Sequence, residues 1–282
     1  MSVAGLTAGA KVVVVAGKGG VGKTTVTAVL ARAAADEGLR VLAVELDGKP
    51  ALAGLLKGTA VEMRHLSPGQ ALAEYLVEHG FARVAKRLAA SGAIDVVSAA
   101  APGIDDLVVL GKIKQLERSG QYDLIVVDGP AAGHAVTMLT SPAGLLATMR
   151  SGPVHTQAAD VTAMLSDPQR CRVVLVTVPE HTPVDELIET SDLVEDRAGV
   201  QLAAVVVNAV DEGVDIPTDD LTGSPELVAA ARAAADYRNA RRAAQTFERQ
   251  RLAAAIALPI VTLPELPEVT PTSLPTLTQA LQ

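Results

Sequence analysis

KVVVVAGKGGVGKTT, residues 11–25, joins a strand-like run (Lys11 to Ala16) to a helix-like run ending near Gly38, with Gly17 to Thr25 between them. Gly17, Gly22, Lys23 and Thr24 stand at the spacing of a phosphate-binding loop. Gly17, Gly19, Gly20 and Gly22 let successive backbone N–H groups, that of Val21 included, turn onto phosphate oxygens. The helix that follows offers its N-terminus, Lys23 brings an ammonium, and Thr24 can supply a hydroxyl to magnesium while Thr25 continues the phosphate cradle.

Around this loop, short β-branched runs alternate with alanine- and leucine-rich helical stretches, the pattern of βαβ units on a parallel sheet buried on both faces. Strands are predicted at residues 11–16, 40–46, 94–98, 122–127, 171–178, 203–207 and 258–263. The expected fold is α/β, a doubly wound, mainly parallel seven-stranded sheet in one domain spanning residues 1–282. Helical insertions at about 48–91 and 135–170, the second broken by Pro142, Pro153 and Pro168, would form a reduced helical subdomain.

The 282 residues, 49% hydrophobic, suffice for a full core. A net charge of −8 argues against a nucleic-acid partner or bulk attraction to anionic lipid, leaving only a local basic face open. The single cysteine, Cys171, excludes an intrachain disulfide and a thiolate zinc site, and fits a reducing cytoplasm. The longest apolar runs fall short of the roughly 20 residues a bilayer requires.

Ligands in such sheets bind beyond the carboxyl ends of the strands, which directs attention to Asp47, Asp128, Pro179-Glu180 and Asn208. Asp128 closes the run LIVV, where an acid can hold magnesium through water; capping a helix is the other use of that position. Asp47, in VELDGKP, can position an attacking water or simply form an Asp-Gly turn. Lys18 is a second lysine inside the loop: it can reach the phosphates of a facing subunit, or stand solvated. The arginines at 238, 241, 242, 249 and 251 read as a solvated basic stripe on the last long helix, and the histidines show no metal-ligand spacing.

The loop GKGGVGKTT, Lys18 included, resembles the signature of the deviant phosphate-loop ATPases. DGPAAGH (128–134), PGIDD (102–106), VPEHTPVDELIE (178–189), VVVNAV (205–210) and LPELPEV (263–269) together resemble the arsenical-pump ATPase (ArsA) and tail-anchored-protein-targeting branch. The resemblance implies ATP and Mg2+ as ligands, with hydrolysis to ADP and phosphate. It places Asp47 in switch I and Gly129, Pro130, Gly133 and His134 in switch II. It assigns adenine recognition to Asn208 and to the loop Pro264, Glu265 and Leu266, and a cross-subunit catalytic role to Lys18. It also implies a homodimer, or a heterodimer with a paralogue, handling a client or peripheral membrane-protein partner.

The sequence departs from that family in two places. GKPALAGLL follows Asp47 in place of a Pro-Ala-His-Ser type of switch, and Ala235 and Arg238 occupy the cysteine positions of the targeting factors, so no zinc is expected. Two alternatives follow: a partitioning or division-positioning ATPase, and a weakly hydrolysing ATP-binding partner of an active paralogue.

Overall fold

Runs of valine with no polar interruption can be buried on two faces at once, and the computed structural model places them at the centre of a parallel sheet. The structure describes residues 3–78, 80–91, 103–219 and 221–281. Seven strands lie in the order β3-β2-β4-β1-β5-β6-β7. They are β1 (Val12–Gly17), β2 (Val41–Glu45), β3 (Glu62–His65), β4 (Leu124–Ala131), β5 (Cys171–Thr177), β6 (Leu202–Val210) and β7 (Ile260–Pro264). All six pairings between them are parallel.

The period-two alternation of β1 divides the core. Val13 and Val15 pack with α1 (Val3–Thr7), α2 (Lys23–Asp36), α3 (Ala51–Leu55) and α11 (Leu274–Ala280). Val12, Val14 and Ala16 join the opposite core, which takes in α6 (Ile104–Arg118), α7 (Ala132–Thr148), α8 (Pro153–Leu165), α9 (His181–Leu193) and the C-terminal end of α10 (Pro225–Ala255). Helix α4 (Pro68–Glu78) packs on α5 (Ala82–Ser91) and rests on α6, bringing Ala71 and Leu72 into the same core.

Residues 48–91 are not helical throughout. EMRH forms β3 beside β2, in register from Leu42↔Glu62 to Glu45↔His65. Its mixed exposure explains why no apolar alternation marks it: an edge strand needs ladder hydrogen bonds more than a greasy face. The strand expected at 94–98 lies outside the described residues, as do Pro102 and His79. Proline acts differently at each expected break: Pro142 is buried inside a continuous α7, whereas Pro153 starts α8 and Pro168 lies in the turn before β5.

β1 is the centre of this arrangement. Both flanking strands come from far along the chain, since Val12 pairs with Ile125 on one side and Cys171 on the other. The loop after β1 therefore opens between β4 and β5, where the connections diverge to opposite sides.

Candidate functional site

The loop leaves β1 through a position that only glycine can fill. A Cβ on Gly17 would lie 2.2 Å from the Val176 carbonyl oxygen of β5. Gly22 ends the loop with φ 91° and passes directly into α2, and a Cβ there would meet Asn208 Nδ2 at 2.2 Å.

Asn208 itself donates to the Val21 carbonyl at 3.0 Å. The pairing of β6 with β7 is irregular between Val207 and Val210, and Ala209 adopts φ 56°. Such a local break re-aims the neighbouring side chains. The residue expected to read adenine thus braces the glycine-rich loop.

Lys23, Thr24, Asp47, Asp128 and Gly129 converge with Gly19, Gly20 and Gly22 on one cleft of about 320 Å³. Thr24 Oγ1 donates to Asp128 Oδ2 at 2.7 Å, and Thr27, one helical turn on, donates to Oδ1 at 3.3 Å. Burial raises the Asp128 pKa against the lowering pull of both hydroxyls and Lys23, and Asp47 adds to the rise. Burial lowers that of Lys23, opposed by Asp128 and Asp47. Lys23 Nζ also donates to the Lys18 carbonyl at 3.1 Å. A hydroxyl and a carboxylate in contact beside glycine N–H groups make a hard-oxygen donor set of the kind magnesium takes together with phosphate and water.

The other predicted residues are distributed around this cleft. Asp47 is 53% exposed and stands 3.4 Å from Lys49 Nζ. Thr25 occupies the first turn of α2. Gly129 and Pro130 are extended, because β4 runs on to Ala131 and pairs it with Gly17; Gly133 and His134 lie in the first turn of α7. Pro130 and His134 share a small cavity of about 100 Å³ with Asp47, Asp105 and Asp106. Pro264, Glu265 and Leu266 line a separate pocket of about 560 Å³ with Val210 to Gly213 and Arg238. Lys18 reaches Glu186 on α9 and forms an ion pair with it.

Sequence reasoning passed over three contributors. Glu45 is almost fully buried at the end of β2, in register with Asp128, and lines the cleft. It binds His65 Nδ1 at 2.7 Å and accepts from Lys49 N at 3.2 Å. Two acids spaced i, i+2 at a strand end, Glu45 and Asp47, were its signal. Thr27 repeats the Thr24 hydroxyl at helical spacing. Glu186 carried no local signal, since its partner is 168 positions away.

Four arginines of the stripe, Arg238, Arg241, Arg242 and Arg251, are staples to acids rather than a free basic face. Arg238 grips Asp211 with two bonds of 2.9 Å, and Arg241 holds Glu265 at 3.0 and 3.1 Å. Arg242 pairs with Asp215, and Arg251 with Asp185 and Glu248.

Comparison with known proteins agrees with this architecture. Residues 10–151 match the anion-transporting ATPase family model. The ATPase BagA of Mycobacterium tuberculosis is 30% identical over 225 residues, which are 71% of this chain and 65% of that protein. The putative arsenical pump-driving ATPase of Halobacterium salinarum is 26% identical over 220 residues, 68% of this chain and 34% of that protein. The arsenical pump-driving ATPase of Escherichia coli is 27% identical over 207 residues, 68% and 33% respectively. The chain thus spans just under two thirds of the mycobacterial relative and about a third of the two pump-driving ones. A glycine-rich loop at the centre of an all-parallel sheet and a family match through both strands that carry its carboxylates lead to one assignment: this chain belongs to the anion-transporting ATPase family.

Proposed function

We propose that this chain hydrolyses ATP in a magnesium-dependent manner and that the cycle drives association with a second copy or a paralogue. The observation that carries this reading is the Thr24–Asp128 contact of 2.7 Å across the cleft from Lys23, which joins loop hydroxyl and strand-end carboxylate at one point. Magnesium held there by Thr24 and, through water, by Asp128 would neutralise charge on the phosphate oxygens.

Loop N–H groups and Lys23 would bind the β- and γ-phosphates, and Pro264 to Leu266 would flank the base. Asp47 would orient the water that attacks the γ-phosphorus, breaking its bond to the bridging oxygen to yield ADP and phosphate. Lys18 of one subunit would stabilise charge in the site of the other. His134 and Gly133 would carry the γ-phosphate state into α7, and the packed helices would pass it to a client or peripheral membrane partner.

The negative charge overall supports no nucleic-acid partner; a single cysteine, which cannot form an intrachain disulfide, fits a cytoplasmic setting, and burial, which pushes the Cys171 thiol up to about 12, disfavours thiolate chemistry. Among the described residues no helix is long and apolar enough to cross a membrane. A weakly hydrolysing partner of a paralogue is the second reading, favoured by the exposed Asp47 and its contact with Lys49.

Lys23→Ala tests the core of the proposal by titration calorimetry with Mg-ATP. It should abolish measurable binding, and retained affinity would remove the phosphate site assigned here. Multiple-turnover assays alone and with a paralogue separate the two readings.

A further inference from the structure

The side chain of Lys18 is held by a distant helix. Its ammonium pairs with Glu186, in the second turn of α9, and the two side chains are 33% and 41% exposed. Asp185, next to Glu186, is occupied by Arg251 of α10, which also binds Glu248. Glu186 is therefore seated on a helix pinned at the preceding residue, and it meets the Lys18 ammonium.

A second bond tethers the same residue. Lys23 Nζ donates to the Lys18 carbonyl at 3.1 Å, so the lysine that would bind phosphate also fixes the backbone of residue 18. A phosphate that draws Lys23 toward itself competes with that bond and frees the Lys18 backbone. The Lys18 side chain then remains restrained by Glu186 alone.

We infer that Glu186 is a positioning residue that keeps Lys18 on its own subunit until a second copy offers a phosphate charge strong enough to take it. The inference rests on the cross-subunit role proposed above for Lys18 and adds a competitor for it. Two singly charged groups, both partly exposed, make a weak pair; a triphosphate with several charges in a closed interface outbids it. A pair of that kind shifts an equilibrium by up to about five-fold, which is enough to set the nucleotide concentration at which subunits associate and too little to prevent association.

The test is sedimentation velocity of the full chain with Mg-ATPγS and, separately, Mg-ADP, on the parent, Glu186→Gln, Glu186→Asp and Lys18→Ala. Glu186→Gln should strengthen association by about two- to five-fold with ATPγS and leave the ADP profile unchanged. Glu186→Asp, which keeps the charge, should restore the parental value. Lys18→Ala should associate weakly, since it removes the cation that Glu186 restrains.

If Lys18→Ala is impaired while Glu186→Gln matches the parent, Glu186 holds nothing back and the inference fails with the cross-subunit reading intact. If Lys18→Ala associates normally, the cross-subunit reading itself fails. A gain in Glu186→Gln that appears equally with ADP also overturns the inference, since it would report altered packing of α9. Circular dichroism melts check that each variant folds.

Discussion

Replacing Gly22 by alanine tests the loop geometry against two separable costs. The first is conformational: at φ 91° an L-residue is held in left-handed backbone, which costs about 1–2 kcal/mol. The second is steric. The new Cβ would lie 2.2 Å from Asn208 Nδ2, the end of a side chain that can swing aside, but doing so forfeits its 3.0 Å bond to the Val21 carbonyl. A net hydrogen bond is worth about 0.5–1.5 kcal/mol, so Gly22→Ala should destabilise the fold by about 1.5–3.5 kcal/mol.

A double-mutant cycle apportions the two. In an Asn208→Ala background the steric term has already gone, and Gly22→Ala should cost only the backbone part, about 1–2 kcal/mol. Urea denaturation of the four proteins measures the coupling directly, and binding of a fluorescent ATP analogue reports the loop. Additive effects would refute the claim that Asn208 braces Gly22, and a loss under about 0.5 kcal/mol in the single variant would refute the strained geometry as well.

Three other outcomes follow from the same site and core. Burial holds the Asp128 pKa above its unfolded value, so this group's contribution to stability is present below the ordinary aspartate range, near 3.9, and is lost as pH rises through the folded value. Asp128→Asn should accordingly raise the melting temperature of nucleotide-free protein at pH 7, flatten that part of the pH profile and remove magnesium-dependent nucleotide binding; an unchanged profile between pH 3.5 and 7 speaks against it. Asp47→Asn, at an exposed position, should leave stability and nucleotide affinity alone while slowing single-turnover hydrolysis by about a hundred-fold, and an unaltered rate would make Asp47 a turn former. Leu30→Ala, at a fully buried position of α2, should cost about 2–5 kcal/mol in denaturant melts, with a value below 1 arguing that α2 repacks freely on the sheet.

What could be read from the sequence was local chemistry and strong periodicity. β1, its loop and α2 announce themselves because glycines, lysines and threonines at phosphate-loop spacing stand within nine residues between an apolar run and a helical one. Asp128 could be placed beside the loop because it closes an apolar run and the carboxyl ends of such strands share one edge of the sheet. β3 was not, since EMRH carries no apolar face and is recruited by the free edge of β2. The roles of polar residues were less legible still, because they depend on what stands opposite in space. Asn208 is turned to the loop by the irregularity at Ala209, and Arg238, Arg241 and Arg251 of α10 answer to acids on the β6 connection, on β7's outgoing loop and on α9.

The position of β1 between β4 and β5 has a kinetic consequence. Its ladder on one side waits for residues 124–131 and on the other for residues 171–177, so both pairings close over separations of more than a hundred residues. Loop-closure entropy makes such long-range parallel pairing slow, and a run of four valines stays without either neighbour until more than a hundred further residues have been made. The strand that carries the glycine-rich loop is thus secured only by segments more than a hundred residues further along the chain. Refolding should be limited by docking of β5 onto β1, and substitutions there should slow folding more than equally destabilising ones at β3 or β7.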